Sequence, residues 1–335
     1  MDSGKRFVFI GCGNVAYYHA DVILAQGHQI VGVAARHQSQ NIAPFSQKYK
    51  IESCYKDYGK MFDELQPDAA ILCTSWDQTE KILTEVVREG IPVLVEKPVA
   101  LSLQKLKNIL EEVNSFSHNV LVGYNRRFYD FIPILKETIF EQELLSVQLN
   151  FPEAVTVLEQ LVSASIKDHI LIYQSSHWID LVLYLLGELE LIVMQKKTEA
   201  GGYVFSYSGM LRTVNGGVPV HYSSHFDTPQ RISIRFVFKN SVWELCPIEK
   251  LSVYGGLERI EPSTEYPVRQ YIPKVVNEFQ TDFTYKPGFF KQMEYFVDAY
   301  LLRKSQNKLG CTLEDTLMLT RLCDQIQNGK ESATI

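Results

Sequence analysis

A short stretch near the amino terminus contains residue types that can hold a phosphate group. In "FVFIGCGNVA", Gly11, Gly13 and Ala16 follow an apolar run and open an amphipathic segment. The first glycine permits a tight turn, the second lets a pyrophosphate approach the backbone, and the alanine permits close helix packing. Amide groups at a helix start favour the phosphate charge, so the pattern indicates a dinucleotide site. A strand-to-helix turn without a ligand would need the same small residues, and this alternative stays open.

The end of the second apolar run favours a phosphorylated dinucleotide. An NAD site usually has an Asp or Glu there, about 20 residues after the glycine turn, to hold the ribose diol. No acidic residue occurs between Asp21 and Glu52, and Ala35 and Arg36 stand at that place. An arginine can pair with a 2′-phosphate and stack on adenine. We therefore expect NADP or NAD as cofactor, with NADP favoured, and the alternative for Arg36 is a solvated loop cation.

Two charged residues interrupt the apolar run "VLVEKPVALS". Glu96 and Lys97 come where a buried strand should end, and Pro98 keeps the preceding residue extended or forms a cis peptide bond with it. In a doubly wound sheet, ligands bind beyond the carboxyl ends of the strands, so we expect both side chains at the cofactor crevice. A lysine that is partly desolvated beside a nicotinamide can give and take a proton. Without the glycine motif, a strand ending in solvent would explain the pair equally well.

His177 is a second candidate for proton transfer. It lies with Ser175, Ser176 and Asp180 within about one helical turn, and a His and an Asp at positions i and i+3 share a helix face. Imidazole is the usual general acid and base near neutral pH. The alternative is a histidine that is packed in the core of an apolar helix.

The elements that must position these residues follow a βαβ rhythm. Apolar runs alternate with helix-length amphipathic segments in the order "RFVFIG", "QIVGVAA", "AAILCT", "PVLVEKP" and "NVLVGY". This rhythm predicts an α/β fold, with an N-terminal Rossmann doubly wound parallel sheet over residues 1–124. Runs with period two, such as "ISIRFVFK" and "SVWELCP", and a hairpin turn at Asn215 and Gly216 predict a second domain over residues 125–335. We expect that domain to be α+β, with an open, mostly antiparallel sheet that serves substrate binding and oligomerisation.

Helices are expected in four places outside the βαβ region. One lies around residues 130–139 and one ends at Gly187 in "ILIYQSSHWIDLVLYLLG". Two more form the C-terminal pair "FFKQMEYFVDAYLLRK" and "TLEDTLMLTRLCDQI". Because few helices follow Gly187, we expect them to leave one apolar face of strands such as "ISIRFVFK" uncovered, which predicts a homo-dimer or homo-tetramer.

Composition argues against several classes of partner. The 335 residues carry a net charge of −6 with no block of like charge, so we expect neither nucleic acid nor membrane as a partner. The six cysteines form no CxxC pair and no cluster with histidine at metal spacing, which argues against a disulfide framework and a metal site. No run approaches the roughly 18 apolar residues of a membrane span, and the apolar stretch at the start is too short for a signal peptide. We expect a cytoplasmic protein.

Five motifs in sequence order give the chain a resemblance to the glucose-fructose oxidoreductase / inositol dehydrogenase (Gfo/Idh/MocA) family. They are "GCGNVA", the "EKP" of residues 96–98, "VGYNRRF", "SHWIDLVLYLLG" and "PGFFKQMEYFVDAY". The resemblance implies an NAD(P)-dependent oxidoreductase that transfers a hydride between nicotinamide and a hydroxyl or carbonyl carbon of a sugar or nucleotide sugar. It also implies that Lys97 and His177 act on the carbinol proton. The alternative function is a non-catalytic NADP(H)-binding sensor or scaffold protein of the same fold.

The sequence departs from the family pattern at three places, one of which is that "SIKDHILIYQ" replaces a glycine-rich lead into the histidine helix. Many members have an Asp three or four residues before the histidine, where this chain has Gln174 and Tyr173. We therefore expect Lys97 and His177 to share the proton transfer, or Tyr173 to assist. After the fourth strand, a "TP" followed by a histidine is replaced by "CTSWDQTE", with Ser75 and Thr79 at those places.

The predicted site has three groups of residues. The catalytic group is Lys97, His177 and Tyr173. The cofactor-binding group is Gly11, Gly13, Asn14, Val15, Ala16, Arg36, Thr74, Ser75, Glu96 and Lys97. The substrate-binding group is Tyr124, Asn125, Arg126, Arg127 and His177. The two arginines would suit an anionic substrate such as a uronate or a nucleotide diphosphate, and the alternative for both is an exposed positive edge.

Overall fold

A computed structural model describes residues 4–36, 40–113, 115–161, 164–199, 202–304 and 308–329. These residues form two units, which we describe separately. The first unit contains the described residues up to Tyr129 and those from Asp282 to Arg321. The second contains those from Asp130 to Thr281 and from Leu322 onward.

The first unit is built on a six-stranded parallel sheet with strand order β3-β2-β1-β4-β5-β6. Its strands are β1 Arg6–Ile10, β2 Gln29–Ala34, β3 Cys54–Tyr55, β4 Ala69–Leu72, β5 Val93–Val95 and β6 Val120–Val122. Every residue of β4, β5 and β6 is buried, as expected for strands covered on both faces. The strand order reverses beside β1, which is the switch point where doubly wound folds bind ligands. The predicted Rossmann sheet is confirmed.

Helices cover this sheet, and two of them come from late in the sequence. The helices are α1 Asn14–Ala25, α2 Ile42–Tyr49, α3 Tyr58–Leu65, α4 Trp76–Arg88, α5 Leu103–Val113, α9 Phe289–Phe296 and α10 Leu313–Asn328, the last counted to Arg321. Gln26 Nε2, just after α1, donates a hydrogen bond of 2.8 Å to the carbonyl of Phe290 in α9. The described residues between Asp282 and Arg321 therefore group with the parallel sheet, whereas the sequence analysis placed this segment in the second domain. The boundary at residues 124 and 125 stays a prediction.

The second unit is built on an eight-stranded sheet with strand order β14-β13-β12-β11-β7-β10-β9-β8. Its strands are β7 Leu144–Asn150, β8 Leu189–Thr198, β9 Val204–Thr213, β10 Pro219–His225, β11 Ser233–Phe238, β12 Ser241–Leu245, β13 Lys250–Ile260 and β14 Gln270–Gln280. The pairings are antiparallel except between β7 and β10. β9 and β10 are joined through Asn215 and Gly216, as predicted, and Gly216 has a φ of +91°. The predicted α+β unit with a mostly antiparallel sheet is confirmed.

Three helices belong to the second unit alone. They are α6 Ile132–Glu141, α7 Val155–Leu161 and α8 Ser176–Leu186, and the end of α10 joins them. A π-helical turn at Leu171–Ser175 leads into α8, which ends as predicted at Gly187 with a φ of +81°. A glycine adopts this left-handed φ at no steric cost.

In the part of the chain that the structure describes, no helix is long and apolar enough to span a bilayer.

One expectation about this sheet is wrong. The apolar face of "ISIRFVFK" was expected to lie uncovered, but Ile234, Phe236 and Phe238 of β11 are buried within the single chain. The alternation places these three side chains on the face that the unit itself packs, while Arg235 points to solvent. Exposed apolar side chains lie instead on the outer hairpin of β13 and β14, at Leu257, Ile260, Tyr271, Ile272, Val275 and Val276.

Candidate active site

The turn after β1 is held tightly between the ends of two neighbouring strands. Gly11 has a φ of +90°, and its amide donates a hydrogen bond of 2.8 Å to the carbonyl of Ala34 at the end of β2. A Cβ added at Gly11 would overlap the carbonyl oxygen of Cys73, just beyond β4. Both the backbone conformation and the close approach therefore require glycine at this position.

Gly13 is a glycine for a different reason. It precedes α1 with extended backbone angles, φ −74° and ψ −178°, which any residue can adopt. A Cβ added there would have no heavy atom within 4 Å, so the fold itself does not need a glycine. The open space lies at the start of a helix whose first turn has no acidic residue. This arrangement fits a pyrophosphate, which would interact with the free amides and the dipole of α1.

The three residues after Gly13 differ in exposure: two are exposed at the helix start and one is buried. Asn14 and Val15 are exposed at the helix start, where their amides have no partner within the helix. Ala16 is fully buried, and its amide donates a hydrogen bond of 3.0 Å to the carbonyl of Gly13. The structure thus assigns to Ala16 the close-packing position that the sequence pattern predicts.

The other predicted cofactor residues follow β2 and β4. Arg36 is exposed, two residues after β2 ends at Ala34. Thr74 is half-buried, and its hydroxyl lies 2.8 Å from that of Thr79, while Ser75 immediately precedes α4. All of these residues follow the carboxyl ends of strands beside the switch point, where the sequence places the cofactor.

Glu96 and Lys97 follow β5, as predicted. The amide of Glu96 donates a hydrogen bond of 2.9 Å to the carbonyl of Leu72 in β4, which fixes the backbone at the strand end. The Glu96 carboxylate Oε1 lies 2.7 Å from Nε2 of His19, a fully buried residue of α1 that sequence analysis missed. Lys97 is half-buried, and the peptide bond between Lys97 and Pro98 is cis.

The predicted substrate residues of the first unit form a 3₁₀ turn after β6. Asn125 is buried and donates a hydrogen bond of 2.8 Å to the carbonyl of Pro287. Arg127 is also buried, and its Nη1 lies 3.1 Å from both the Gly310 carbonyl and the Asp315 carboxylate. Arg127 is therefore hydrogen-bonded within its own unit. The sequence had suggested either a ligand for an anionic substrate or an exposed positive edge.

Two neighbours of Asn125 complete this predicted group. Tyr124 is 3% exposed and precedes the 3₁₀ turn. Arg126 is half-buried, and its Nη1 donates a hydrogen bond of 2.7 Å to Oδ1 of Asn125. Of the two arginines, Arg126 is the one whose side chain reaches solvent.

In the second unit, His177 lies in the first turn of α8. It is buried, and its ring centroid is 6.0 Å from that of Trp178. The carboxylate of Glu153, in the loop after β7, accepts hydrogen bonds from Ser175 Oγ at 2.9 Å and from Trp178 Nε1 at 3.3 Å. A buried acid thus adjoins residues on both sides of His177, in a chain that lacks an acid at positions 173 and 174. Sequence reasoning missed Glu153 because no local spacing connects it to α8.

Tyr173 lies in the π-helical turn before α8. Burial raises the pKa of its phenol above the ordinary value, because the charged form is desolvated. The phenol is therefore protonated near neutral pH. In this state Tyr173 can donate a hydrogen bond or a proton, but it is a poor candidate for the general base.

Comparisons with known proteins agree with this fold and this turn. Residues 5–124 match the Gfo/Idh/MocA family, described as an oxidoreductase family with an NAD-binding Rossmann fold. A myo-inositol 2-dehydrogenase of Thermotoga maritima is 23% identical over 188 residues, and that alignment spans 55% of this chain and 55% of the relative. An uncharacterized oxidoreductase of Bacillus subtilis, YrbE, is 22% identical over 96% of this chain and 92% of its own length.

Solved structures extend the likeness to nearly the whole chain. The UDP-N-acetylglucosamine 3-dehydrogenase of Acidithiobacillus ferrooxidans superimposes with a TM-score of 0.75 at 14% identity and covers 97% of both chains. Taken with the glycine turn, these findings identify residues 5–124 as an NAD-binding Rossmann domain of the oxidoreductase type. The resemblance noted in the sequence is confirmed by the match of residues 5–124 to the Gfo/Idh/MocA oxidoreductase family.

The two glycines of the turn should respond differently to substitution. Gly13→Val should fold normally, because the added side chain meets open space, but it should weaken NADPH binding by more than about tenfold by filling the phosphate position. NADPH fluorescence titration measures the binding, and thermal unfolding checks the fold.

Gly11→Val is the matched comparison. It should lower the unfolding temperature, because its side chain overlaps the Cys73 carbonyl and needs an unfavourable φ. An undiminished NADPH affinity in Gly13→Val would contradict the assignment of the turn.

Proposed function

We propose that this protein transfers a hydride between a nicotinamide dinucleotide, preferably NADP, and a ring carbon of a sugar or nucleotide sugar. The observation that carries the proposal is the open space at Gly13, at the switch point of the sheet, together with Glu96 and Lys97 at the end of β5. When bound, the nicotinamide supplies the hydride acceptor or donor. The chain itself supplies phosphate binding and the groups that exchange the hydroxyl proton.

We assign the proton exchange to Lys97 and His177, as the family resemblance implies. In the oxidative direction the substrate C–H bond gives up a hydride and its O–H group gives up a proton, which one of these two bases accepts. Tyr173, protonated near neutral pH, suits the donor role in the reductive direction. The dehydrogenase relatives favour this enzymatic function over a sensor or scaffold.

The proposed preference for NADP rests on Arg36. It is exposed just after β2, and no carboxylate occurs between Asp21 and Glu52 to repel a 2′-phosphate. A guanidinium group can pair with that phosphate and stack on the adenine.

Titration with NADPH and NADH should therefore show tighter binding of NADPH. Arg36→Ala should lose roughly 1–3 kcal/mol of NADPH binding, the worth of a charge-assisted hydrogen bond, with a smaller loss for NADH, which lacks the 2′-phosphate. Tighter binding of NADH by the wild-type protein would contradict the preference, and an equal loss for both dinucleotides would show that Arg36 does not contact the 2′-phosphate.

We also propose a homo-dimer or homo-tetramer that associates through the outer hairpin of β13 and β14. Six large apolar side chains are exposed there, and burial against a second copy would remove them from water. Val276→Asp places a charge on this exposed hairpin, whereas Phe140→Asp changes an apolar residue of α6 that is 92% exposed.

Sedimentation velocity at micromolar concentration should give an oligomer for the wild-type protein and for Phe140→Asp, and a smaller species for Val276→Asp. The reason is that a charge buried in an apolar interface without a partner is strongly unfavourable. A monomeric wild-type protein would contradict the proposal.

Catalysis should depend on Lys97 and His177 together. With a panel of keto sugars, the wild-type protein should oxidise NADPH, and Lys97→Ala should lower kcat by roughly 10²- to 10⁴-fold with dinucleotide binding little changed. His177→Ala should do the same. Because groups that act as one unit are not additive, the double variant should fall hardly below the worse single variant.

Three outcomes would overturn parts of this account. No oxidation of bound NADPH by any keto sugar would favour the sensor or scaffold. Near-full turnover in Lys97→Ala would remove the lysine from the chemistry. If Tyr173→Phe proved the most damaging change, the acid would lie one turn earlier along the chain than His177.

A further inference from the structure

His19 is a buried polar residue of the helix that begins at the phosphate turn. It is fully buried in α1, six residues after Gly13 and one turn after the buried Ala16. Its Nε2 lies 2.7 Å from Oε1 of Glu96, the residue before Lys97. An ionised carboxylate can only accept, so the hydrogen bond requires the proton to be on Nε2. One side chain therefore joins the dinucleotide helix to the segment of the proposed catalytic lysine.

The carboxylate of Glu96 has little freedom to move. Its side chain is only 12% exposed. On the neighbouring strand end, a Cβ added at Gly123 would lie 3.0 Å from Cδ and Oε1 of Glu96 and 3.1 Å from Oε2, so the missing side chain of Gly123 makes room for the carboxylate. Burial first, and then Coulombic interaction with Glu96 and Cys12, raises the pKa of the Cys73 thiol. Glu96 thus lies in an enclosed site, and His19 is its hydrogen-bond partner there.

The imidazole ring is fixed on its other side as well. The ring of Phe289 lies 4.7 Å from that of His19, measured between centroids. The Nδ1 atom of His19 is buried and has no hydrogen-bond partner among the described residues. A buried polar atom without a partner is costly, so this position is poorly explained by packing alone. The bond to Glu96 is the polar interaction that the ring makes.

We propose that His19 is a positioning residue, and that its bond to Glu96 transmits dinucleotide binding at α1 to the orientation of Lys97. The inference rests on the proposed function and specifies how the two parts of that site are coupled. Without His19, a carboxylate that is buried and unpaired would move toward solvent. Lys97 is the next residue, so its orientation would change with that movement.

Two substitutions at His19 separate the hydrogen bond from the loss of the ring. The amide nitrogen of His19→Gln takes nearly the position of Nε2 and can donate to Glu96. The shorter amide of His19→Asn takes the position of Nδ1 and cannot reach it. Tyr49→Phe is the matched control, because it removes a hydrogen bond of 2.7 Å to Asp21, also on α1, far from Glu96 in sequence.

The first measurement is hydrogen–deuterium exchange of the wild-type protein and the variants with and without NADPH, which needs no substrate. In the wild-type protein, NADPH should slow exchange both at residues 11–16 and in the peptide that contains residues 93–97. In His19→Asn the protection of the first segment should remain and that of the second should be lost. His19→Gln and Tyr49→Phe should behave as the wild-type protein.

The second measurement is steady-state turnover on the keto sugar that the wild-type protein reduces. His19→Asn should lower kcat at least about tenfold with KM and NADPH affinity within about threefold, because the binding groups are intact. His19→Gln should recover most of the loss. Should His19→Asn not fold, Glu96→Asp tests the same bond from the other side, because its shorter carboxylate cannot reach Nε2 of His19.

The outcomes distinguish the coupling from the proposed function. Wild-type protection at residues 93–97 in His19→Asn or Glu96→Asp would overturn the coupling alone, as would a His19→Gln that is as impaired as His19→Asn. Failure of the wild-type protein to bind NADPH and NADH would overturn the proposed function and the coupling together. Binding and protection as expected, with full turnover in Lys97→Ala, would overturn only the catalytic role of the lysine.

Discussion

The close approach of the Gly11 backbone to the carbonyl of Cys73 is the constraint on which the site depends. β1 lies between β2 and β4, so the chain that leaves it must turn sharply between two neighbouring strand ends. Only a residue without a side chain can make that turn at a φ of +90°. The turn places the start of α1 at the switch point, and the open space at Gly13 follows from it.

The same edge of the sheet explains why charged residues follow buried strands. The charged Arg36 and Glu96 and the polar Thr74 come after β2, β5 and β4, whose carboxyl ends lie along the same edge of the parallel sheet. A strand covered on both faces cannot hold a charge, but its carboxyl end can present one to a ligand. The change from apolar to polar or charged residues at the strand ends therefore keeps the core apolar and places the polar side chains at the ligand edge of the sheet.

The sequence predicted five of the six parallel strands, because each of the five is a short apolar run. It missed β3, which has only two residues, Cys54 and Tyr55. Local patterns also located the turn at Gly11 and Gly13, the hairpin at Asn215 and Gly216, and the end of α8. Long-range packing was not predictable in this way. Nothing near Phe289 in sequence shows that it packs against His19 of α1, or that Arg127 pairs with Asp315. The spacing of Ala16 and His19 on one helix face is the signal that could have indicated a buried role for the histidine.

The most direct test of the account is a crystal structure of the protein with NADP⁺ bound. We expect the pyrophosphate over Gly13, within hydrogen-bond distance of the backbone amides of Asn14 or Val15, and the nicotinamide at the end of β5 beside Lys97. Because an added Cβ at Gly13 meets nothing within 4 Å, the phosphate should enter without movement of the turn. A dinucleotide bound away from this turn, or one whose nicotinamide lies away from the end of β5, would contradict the central claim.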